Sequence, residues 1–343
     1  MKKVKSRKRD GKNMKAAVVR GKCQVVIEET EEPQITKPSE IKIHVTKGAI
    51  CNTTDNMIYA TDHPEDFWPG EKFPFIIGHE CTGRIVELGS DVKEMKIGDR
   101  VVYWTVCGRA FADYLILDTE EFAVGTIGEN VSDDIAAMME MVIGAGRQLF
   151  KEDGSALIKQ GDKVVVYGLG PAGLIYHRLA IMLGASKVCG VGRRELRLSK
   201  SLEVGASFSV NSEKTGYIEE IIEKMEGRPD VIIDATGGDI IENIIALGDE
   251  GTQVVAYGIP PFDWNEKIPL LEKAGLKAPI FTGTESARIS LKHCVKWEES
   301  GGFGLEPIIT HRIKLRDLGK GLDMCRLQRD TTLKVIVTIN EED

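Results

Sequence analysis

The sequence predicts an α/β chain in two parts, a β-rich domain followed by a doubly wound parallel sheet wrapped by helices. Three observations carry this. From Met14 to about Val124, short β-rich runs such as Lys42-Ile43-His44-Val45 and Arg100-Val101-Val102-Tyr103 alternate with Gly, Pro and Asp punctuation. Between Lys163 and about Gly283, apolar strand-like runs (Val164-Val165-Val166-Tyr167, Val188-Cys189-Gly190-Val191, Val231-Ile232-Ile233-Asp234, Val254-Val255-Ala256-Tyr257) alternate with helical stretches. At the head of that second part, Gly168-Leu169-Gly170-Pro171-Ala172-Gly173 joins the first strand to a helical stretch running to Leu183.

Taken in order, residues 1–13 form a basic leader with a net charge of +6, leaving −14 on the rest of the chain. It reads as a disordered extension ahead of a first strand at Met14-Lys15-Ala16-Ala17-Val18-Val19, and it lacks the apolar stretch of a secretory signal. The acidic body argues against nucleic-acid binding. A helix leading to the domain junction is expected over Asp133–Phe150, where Ile135, Met138, Met139 and Val142 recur at helical spacing. After Ser286 come a helical segment, Pro307-Ile308-Ile309-Thr310, a further helix and Leu333-Lys334-Val335-Ile336-Val337, able to complete either domain. The expected boundaries are 14–146, 147–285 and 286–343.

At 343 residues, 42% hydrophobic and 29% charged, the chain reads as globular, and no apolar run approaches the roughly 18 residues that would span a membrane. Seven cysteines, odd in number and without a C-x-x-C pair, give a poor disulfide framework, so a reducing cytoplasmic setting is expected.

The glycine run is a dinucleotide fingerprint in its strand-turn-helix context. Gly168 permits the tight turn, Gly170 lets backbone approach a pyrophosphate, and Gly173 lets helix and strand pack closely. The helix start supplies unpaired N–H groups to the phosphates. At the end of the second strand, where an NAD enzyme places a carboxylate on the ribose roughly 20 residues past the fingerprint, this chain has Gly192, Arg193 and Arg194. No acid repels a 2′-phosphate there, and two guanidinium groups are available to pair with it, so NADP is expected over NAD. The alternative is two solvated arginines at a helix start.

Cys51, His79 and Glu80 offer a thiolate, an imidazole and a carboxylate, a donor set for a catalytic zinc that leaves a position for substrate. Each alone reads equally as a buried thiol or a core histidine. The surrounding motifs decide the matter: Gly78-His79-Glu80-Cys81-Thr82-Gly83, Val86-Glu87-Leu88-Gly89-Ser90-Asp91-Val92, Gly98-Asp99-Arg100-Val101-Val102, the glycine fingerprint, Asp234-Ala235-Thr236-Gly237 and Pro307-Ile308-Ile309-Thr310-His311-Arg312. On these the chain resembles the zinc-dependent medium-chain dehydrogenase/reductase family, of the alcohol and polyol dehydrogenase kind, from Met14 to about Val337.

That resemblance implies a GroES-like catalytic domain built from the N-terminal part and the C-terminal end, a Rossmann domain, a cleft between them, and homodimers or homotetramers. It makes Cys51 and His79 zinc ligands, and Glu80 either a ligand or a residue exchanging with bound water. The remaining ligand position reads Met139-Glu140-Met141-Val142, and Glu140, a carboxylate among apolar neighbours, is the choice for it. The four-cysteine structural zinc lobe is replaced by a run from Tyr103 to Tyr114 holding only Cys107, so one catalytic zinc and no structural zinc is expected. Cys51-Asn52-Thr53-Thr54-Asp55 is one residue longer than the family's usual motif. Thr54 is assigned the proton-relaying hydroxyl, with Thr53 the alternative. Met57 stands where relatives often carry a relay histidine, and His63 is either a substitute or a solvated loop residue. The expected activity is hydride transfer between a polyol, sugar or secondary alcohol and NADP(H). The alternatives are a zinc-free quinone or enoyl reductase of the same fold and a non-catalytic NADP-sensing protein.

Overall fold

The computed structural model describes residues 12–67, 71–105, 108–258, 264–279 and 283–341. Most of the basic leader, Trp68–Gly70 of the loop containing His63, and Cys107 lie outside them. The N-terminal runs pair as antiparallel strands. β1 (Asn13–Gly21) lies between β2 (Gln24–Glu31) and the short β4 (Phe75–Ile76). β3 (Glu40–Ala49) pairs along its length with β5 (Glu80–Leu88), which leads through β6 (Arg100–Trp104) to β8 (Ala123–Thr126), while β7 (Tyr114–Asp118) covers the start of β3. The six-residue α1 (Thr54–Tyr59) follows β3.

α2 (Asp133–Gly146) begins at Ser132, whose side chain caps the backbone of Ile135, with Asp133 and Asp134 placed favourably against the helix dipole. It ends four residues short of the expected Phe150. The chain continues as a 3-10 turn at Arg147–Leu149, and at the junction Gly146 leaves room for Ser290, which a Cβ there would meet at 2.3 Å.

The second half alternates as predicted: β9 (Lys163–Tyr167), α3 (Pro171–Met182), β10 (Lys187–Gly192), α4 (Glu195–Glu203), β11 (Phe208–Asn211), α5 (Tyr217–Met225), β12 (Val231–Asp234), α6 (Ile241–Leu247), β13 (Gln253–Ala256) and α7 (Trp264–Lys273); α8 (Thr284–Glu299) follows and packs on α2 and β8. Its five strands are all parallel in the order β11-β10-β9-β12-β13. Helices cover both faces, so Val164, Val165, Val166, Ile232 and Ile233 have no exposure, as continuous apolar strands require. The order reverses beside β9, and the crevice outside the carboxyl ends of the strands at such a point is where ligands bind.

The chain then returns to the first sheet. β14 (Ile309–Lys314) runs parallel to β15 (Lys334–Thr338), with α9 (Leu318–Leu327) between them, and β15 pairs antiparallel with the end of β3. β14 starts later than Pro307 because residues 306–308 form a 3-10 turn, for which the proline without an N–H is suited. One apolar cluster joins Met138, Met139 and Val142 of α2 to Leu174, Tyr176 and Leu179 of α3, so the halves share a core beneath the cleft. Among the described residues no helix is long and apolar enough to cross a membrane.

Candidate metal centre and dinucleotide cleft

Cys51 follows the end of β3, and His79 and Glu80 open β5, so the pairing of Ala49 with Glu80 brings the two chain segments together. The ligand atoms of Cys51, His79 and Glu80 lie within 4.8 Å of one another. The turn before His79 is made by Gly78 at φ +98°, where a Cβ would strike the Phe111 ring at 2.4 Å, so only glycine serves there. Tyr103 holds the other side: its hydroxyl donates to the His79 carbonyl at 2.9 Å.

Asp55, fully buried on α1, organises the group. Its carboxylate accepts from the Cys51 backbone N–H at 2.9 Å and lies 3.0 Å from His79 Nδ1. Burial disfavours a charged His79, but the Asp55 charge and hydrogen bond, with a smaller effect of the Cys51 sulfur, raise its pKa well above 6.5. A carboxylate on Nδ1 turns Nε2 outward and raises its basicity, the arrangement found behind metal-bound histidines.

Glu80 is completely buried, and Lys334 Nζ, also at zero exposure, donates to its Oε2 at 2.5 Å and to the Ile50 carbonyl at 2.9 Å. Glu80 Oε1 has no hydrogen-bond partner among the described residues. A buried carboxylate oxygen left bare is costly, and a cation beside the Cys51 sulfur and His79 nitrogen would satisfy it. The residues present therefore fit a zinc ion. Glu140, on α2, is buried at 7% exposure and lies within electrostatic range of His79, Glu80 and Lys334 without joining the close group. Burial pushes its pKa well up from the usual carboxylate range, partly offset by His79 and reinforced by Glu80.

The remaining predicted groups fall around this pocket unevenly. Thr54 starts α1, half-buried, with its backbone N–H 3.4 Å from the Cys51 sulfur, while Thr53 is exposed. His63 is largely exposed and 3.7 Å from Glu65. At the fingerprint, Gly168 adopts φ +88° and a Cβ on Gly173 would meet the Gly168 carbonyl at 1.8 Å, while the space beside Gly170 is open. Leu169, Pro171 and Ala172 complete the turn into α3, with the proline at its first position. This geometry fits a pyrophosphate. Gly192 ends β10, Arg193 is exposed, and Arg194 Nε donates to Asp330 Oδ1 at 2.6 Å.

Residues 37–152 match the alcohol dehydrogenase GroES-like domain, and residues 171–277 match the zinc-binding dehydrogenase model. The chain belongs to the zinc-dependent medium-chain dehydrogenase/reductase family. It is 29% identical to an L-threonine 3-dehydrogenase of Cronobacter sakazakii over 330 residues, 86% of this chain and 91% of that protein. Among solved structures, an alcohol dehydrogenase of Escherichia coli CFT073 complexed with NADH superposes with a TM-score of 0.78 at 23% identity, covering 96% of this chain and 100% of the other. The 2R,3R-butanediol dehydrogenase of Bacillus subtilis gives 0.74 at 25% identity, covering 95% and 100%. This medium-chain dehydrogenase thus combines a GroES-like domain with a Rossmann sheet and is an NAD(P)-dependent enzyme acting on CH–OH groups.

Several residues of the site escaped sequence reasoning. Lys334 reads as one polar position in a strand. Tyr257, just past β13, brings a phenol from the Rossmann half; burial, then the charges of Glu140, Cys51 and Glu80, keep it protonated. Its ring meets Tyr176 edge-on at 5.2 Å. Arg147 lays its guanidinium 4.3 Å from the centre of the Trp104 ring. Asp55 was visible only as a neighbour of Thr54.

Proposed function

We propose that this enzyme transfers a hydride between a secondary alcohol carbon of a polyol, sugar or similarly polar substrate and NADP(H), using one catalytic zinc and no structural zinc. The observation that carries the reading is the donor group of Cys51, His79 and Glu80 with its bare buried Glu80 oxygen. Cys51, His79 and Glu80 would hold the ion, with Glu140 within electrostatic range of them, and zinc there supplies Lewis acidity to a substrate oxygen. Asp55 fixes the imidazole and Lys334 restrains Glu80; Thr54, next to Asp55 at the start of α1, is assigned the hydroxyl that passes the substrate proton outward. The glycine turn seats the dinucleotide, and Gly192, Arg193 and Arg194 favour a coenzyme with a 2′-phosphate. The names L-threonine and 2R,3R-butanediol both denote secondary alcohols beside a second polar group, which supports a polar secondary alcohol here. The acidic body and free cysteines support a cytoplasmic small-molecule enzyme without nucleic-acid partners, and the family resemblance implies a homodimer or homotetramer.

The test is a coenzyme-reduction screen of zinc-loaded protein against polyols, aldoses, L-threonine and simple secondary alcohols, with NADP and NAD in parallel. Turnover of a secondary alcohol, abolished by chelation and higher in kcat/KM with NADP, is the expected result. Chelator-resistant reduction of quinones or enones with no alcohol turnover would contradict it. Glu140→Ala is expected to lose zinc and activity; full retention of both removes Glu140 from the metal centre.

A further inference from the structure

The turn between α9 and β15 belongs by its sheet to the catalytic half, yet it lies against the head of α4 in the Rossmann half. Two contacts hold it there: Arg194 to Asp330, and Arg197 Nη2 donating to the Arg329 carbonyl at 3.3 Å. Arg193, Arg194 and Arg197 thus stand at the carboxyl end of β10 with the backbone of the exposed Arg329 docked against Arg197, close enough for the Arg329 charge to be felt there. Among the described residues the one carboxylate paired with any of them is Asp330, whose side chain is 84% exposed. Arg197 is half-buried, its Nε buried without a hydrogen-bond partner. Burial and the neighbouring charges of Arg194, Arg329 and Arg193 together lower its pKa to about 10. Like charges packed this way repel unless an anion sits among them.

The position says which anion. The cluster follows Gly192, beside the ribose of a dinucleotide whose pyrophosphate lies on the glycine turn. A Cβ at Gly192 would come within 2.9 Å of Leu169 in that turn, so the small residue here leaves the ribose edge to the arginines rather than to a carboxylate.

We propose that Arg329 is a specificity-determining residue for the coenzyme: it reaches from the catalytic half to close the 2′-phosphate pocket begun by Arg193 and Arg197, so that NADP(H) ties the two halves together. This rests on the NADP reading above and adds to it a residue outside the Rossmann half. Arg194 is already engaged by Asp330 and serves as a fixed strut, positioning the turn that carries Arg329.

The experiment measures binding to the full chain by calorimetry for NADP, NAD, adenosine 2′,5′-bisphosphate and AMP, in the natural protein, Arg329→Ala, Arg329→Lys and Arg197→Ala. Expected are tighter binding of the bisphosphate than of AMP, and a loss of about tenfold for NADP and the bisphosphate in Arg329→Ala. NAD and AMP should stay within about twofold, and Arg329→Lys should recover part of the loss. A general distortion of the fold would weaken all four ligands alike, and that result overturns the proposal. If the natural protein favours NADP and Arg197→Ala weakens it while Arg329→Ala does not, the role of Arg329 is overturned and the NADP reading stands. If the natural protein favours NAD, both fall.

Discussion

Around Glu80 the charges are buried and of both signs, whereas at the head of α4 they are more exposed and almost all positive. In the first region Asp55 meets His79 and Lys334 meets Glu80 within hydrogen-bond distance, so the folded chain itself balances most of the charge. In the second, among the described residues only Arg194 of the four arginines is paired with a carboxylate, that of Asp330. The difference separates two kinds of functional electrostatics. A pocket built for a metal must be organised before the ion arrives, because ligands buried without partners would not survive folding. A surface built for a coenzyme phosphate can leave its charge unbalanced, since water screens it until the ligand binds. Damage to the first should therefore appear in stability and metal affinity, and damage to the second in ligand selectivity and salt dependence.

The largest effect should follow Lys334→Met, which strands Glu80 as an unpaired buried carboxylate. A loss of about 3–5 kcal/mol in urea unfolding of the metal-free protein is expected, with much of it recovered when Glu80→Gln is added. A loss below about 1 kcal/mol would show that the pocket is more hydrated than its burial implies and would break the comparison.

Next, Asp55→Asn leaves the fold in place but weakens the orientation of His79. Zinc affinity, measured by chelator competition, should fall about 10- to 100-fold. Unchanged affinity would show that the Asp55 contact matters only for packing.

A third test uses a buried group away from both clusters. His177 lies on the buried face of α3, the fingerprint helix, between the Gly173 carbonyl one turn back and the Ser201 hydroxyl of α4, and burial lowers its pKa to about 4. Between pH 6.5 and 4 the unfolded chain takes up a proton that the folded chain refuses, so the native state loses stability as pH falls through that window. The slope from this group approaches about 1.4 kcal/mol per pH unit, and unfolding at pH 7 and pH 5 should differ less in His177→Gln than in the natural protein. Equal differences would mean that the imidazole titrates normally.

The smallest effect belongs to the surface cluster. Raising ionic strength from about 0.05 to 0.5 M should weaken NADP binding severalfold more than NAD binding. Parallel weakening would remove the electrostatic distinction between the regions.

How much of this was readable from sequence follows the range of each contact. The β/α alternation and the glycine turn are local, and the five parallel strands appear where the apolar runs predicted them. Cys51, His79 and Glu80 were readable through motif, and the structure brings them together. Lys334 was not, because Leu333-Lys334-Val335 alternates like any strand with a solvated lysine. Only the register of β15 on β3, and of β3 on β5, turns Lys334 towards Glu80. Arg329 was equally hidden, since the contact of Arg194 with Asp330 spans 136 positions and no local pattern records it. The end of α2 at Gly146 was missed because residues 147–149 continue as a 3-10 turn, which the apolar helical spacing does not distinguish from α-helix.

The account rests on the metal pocket, and one measurement reaches it directly: zinc content per subunit of the full-length protein, taken beside the rate of coenzyme reduction by a secondary alcohol, in the natural chain and in Cys51→Ser. One zinc per subunit in the natural chain, with zinc and turnover lost together in Cys51→Ser, is the predicted result. A natural chain that turns over the alcohol without zinc, or a Cys51→Ser variant that keeps both, would contradict it.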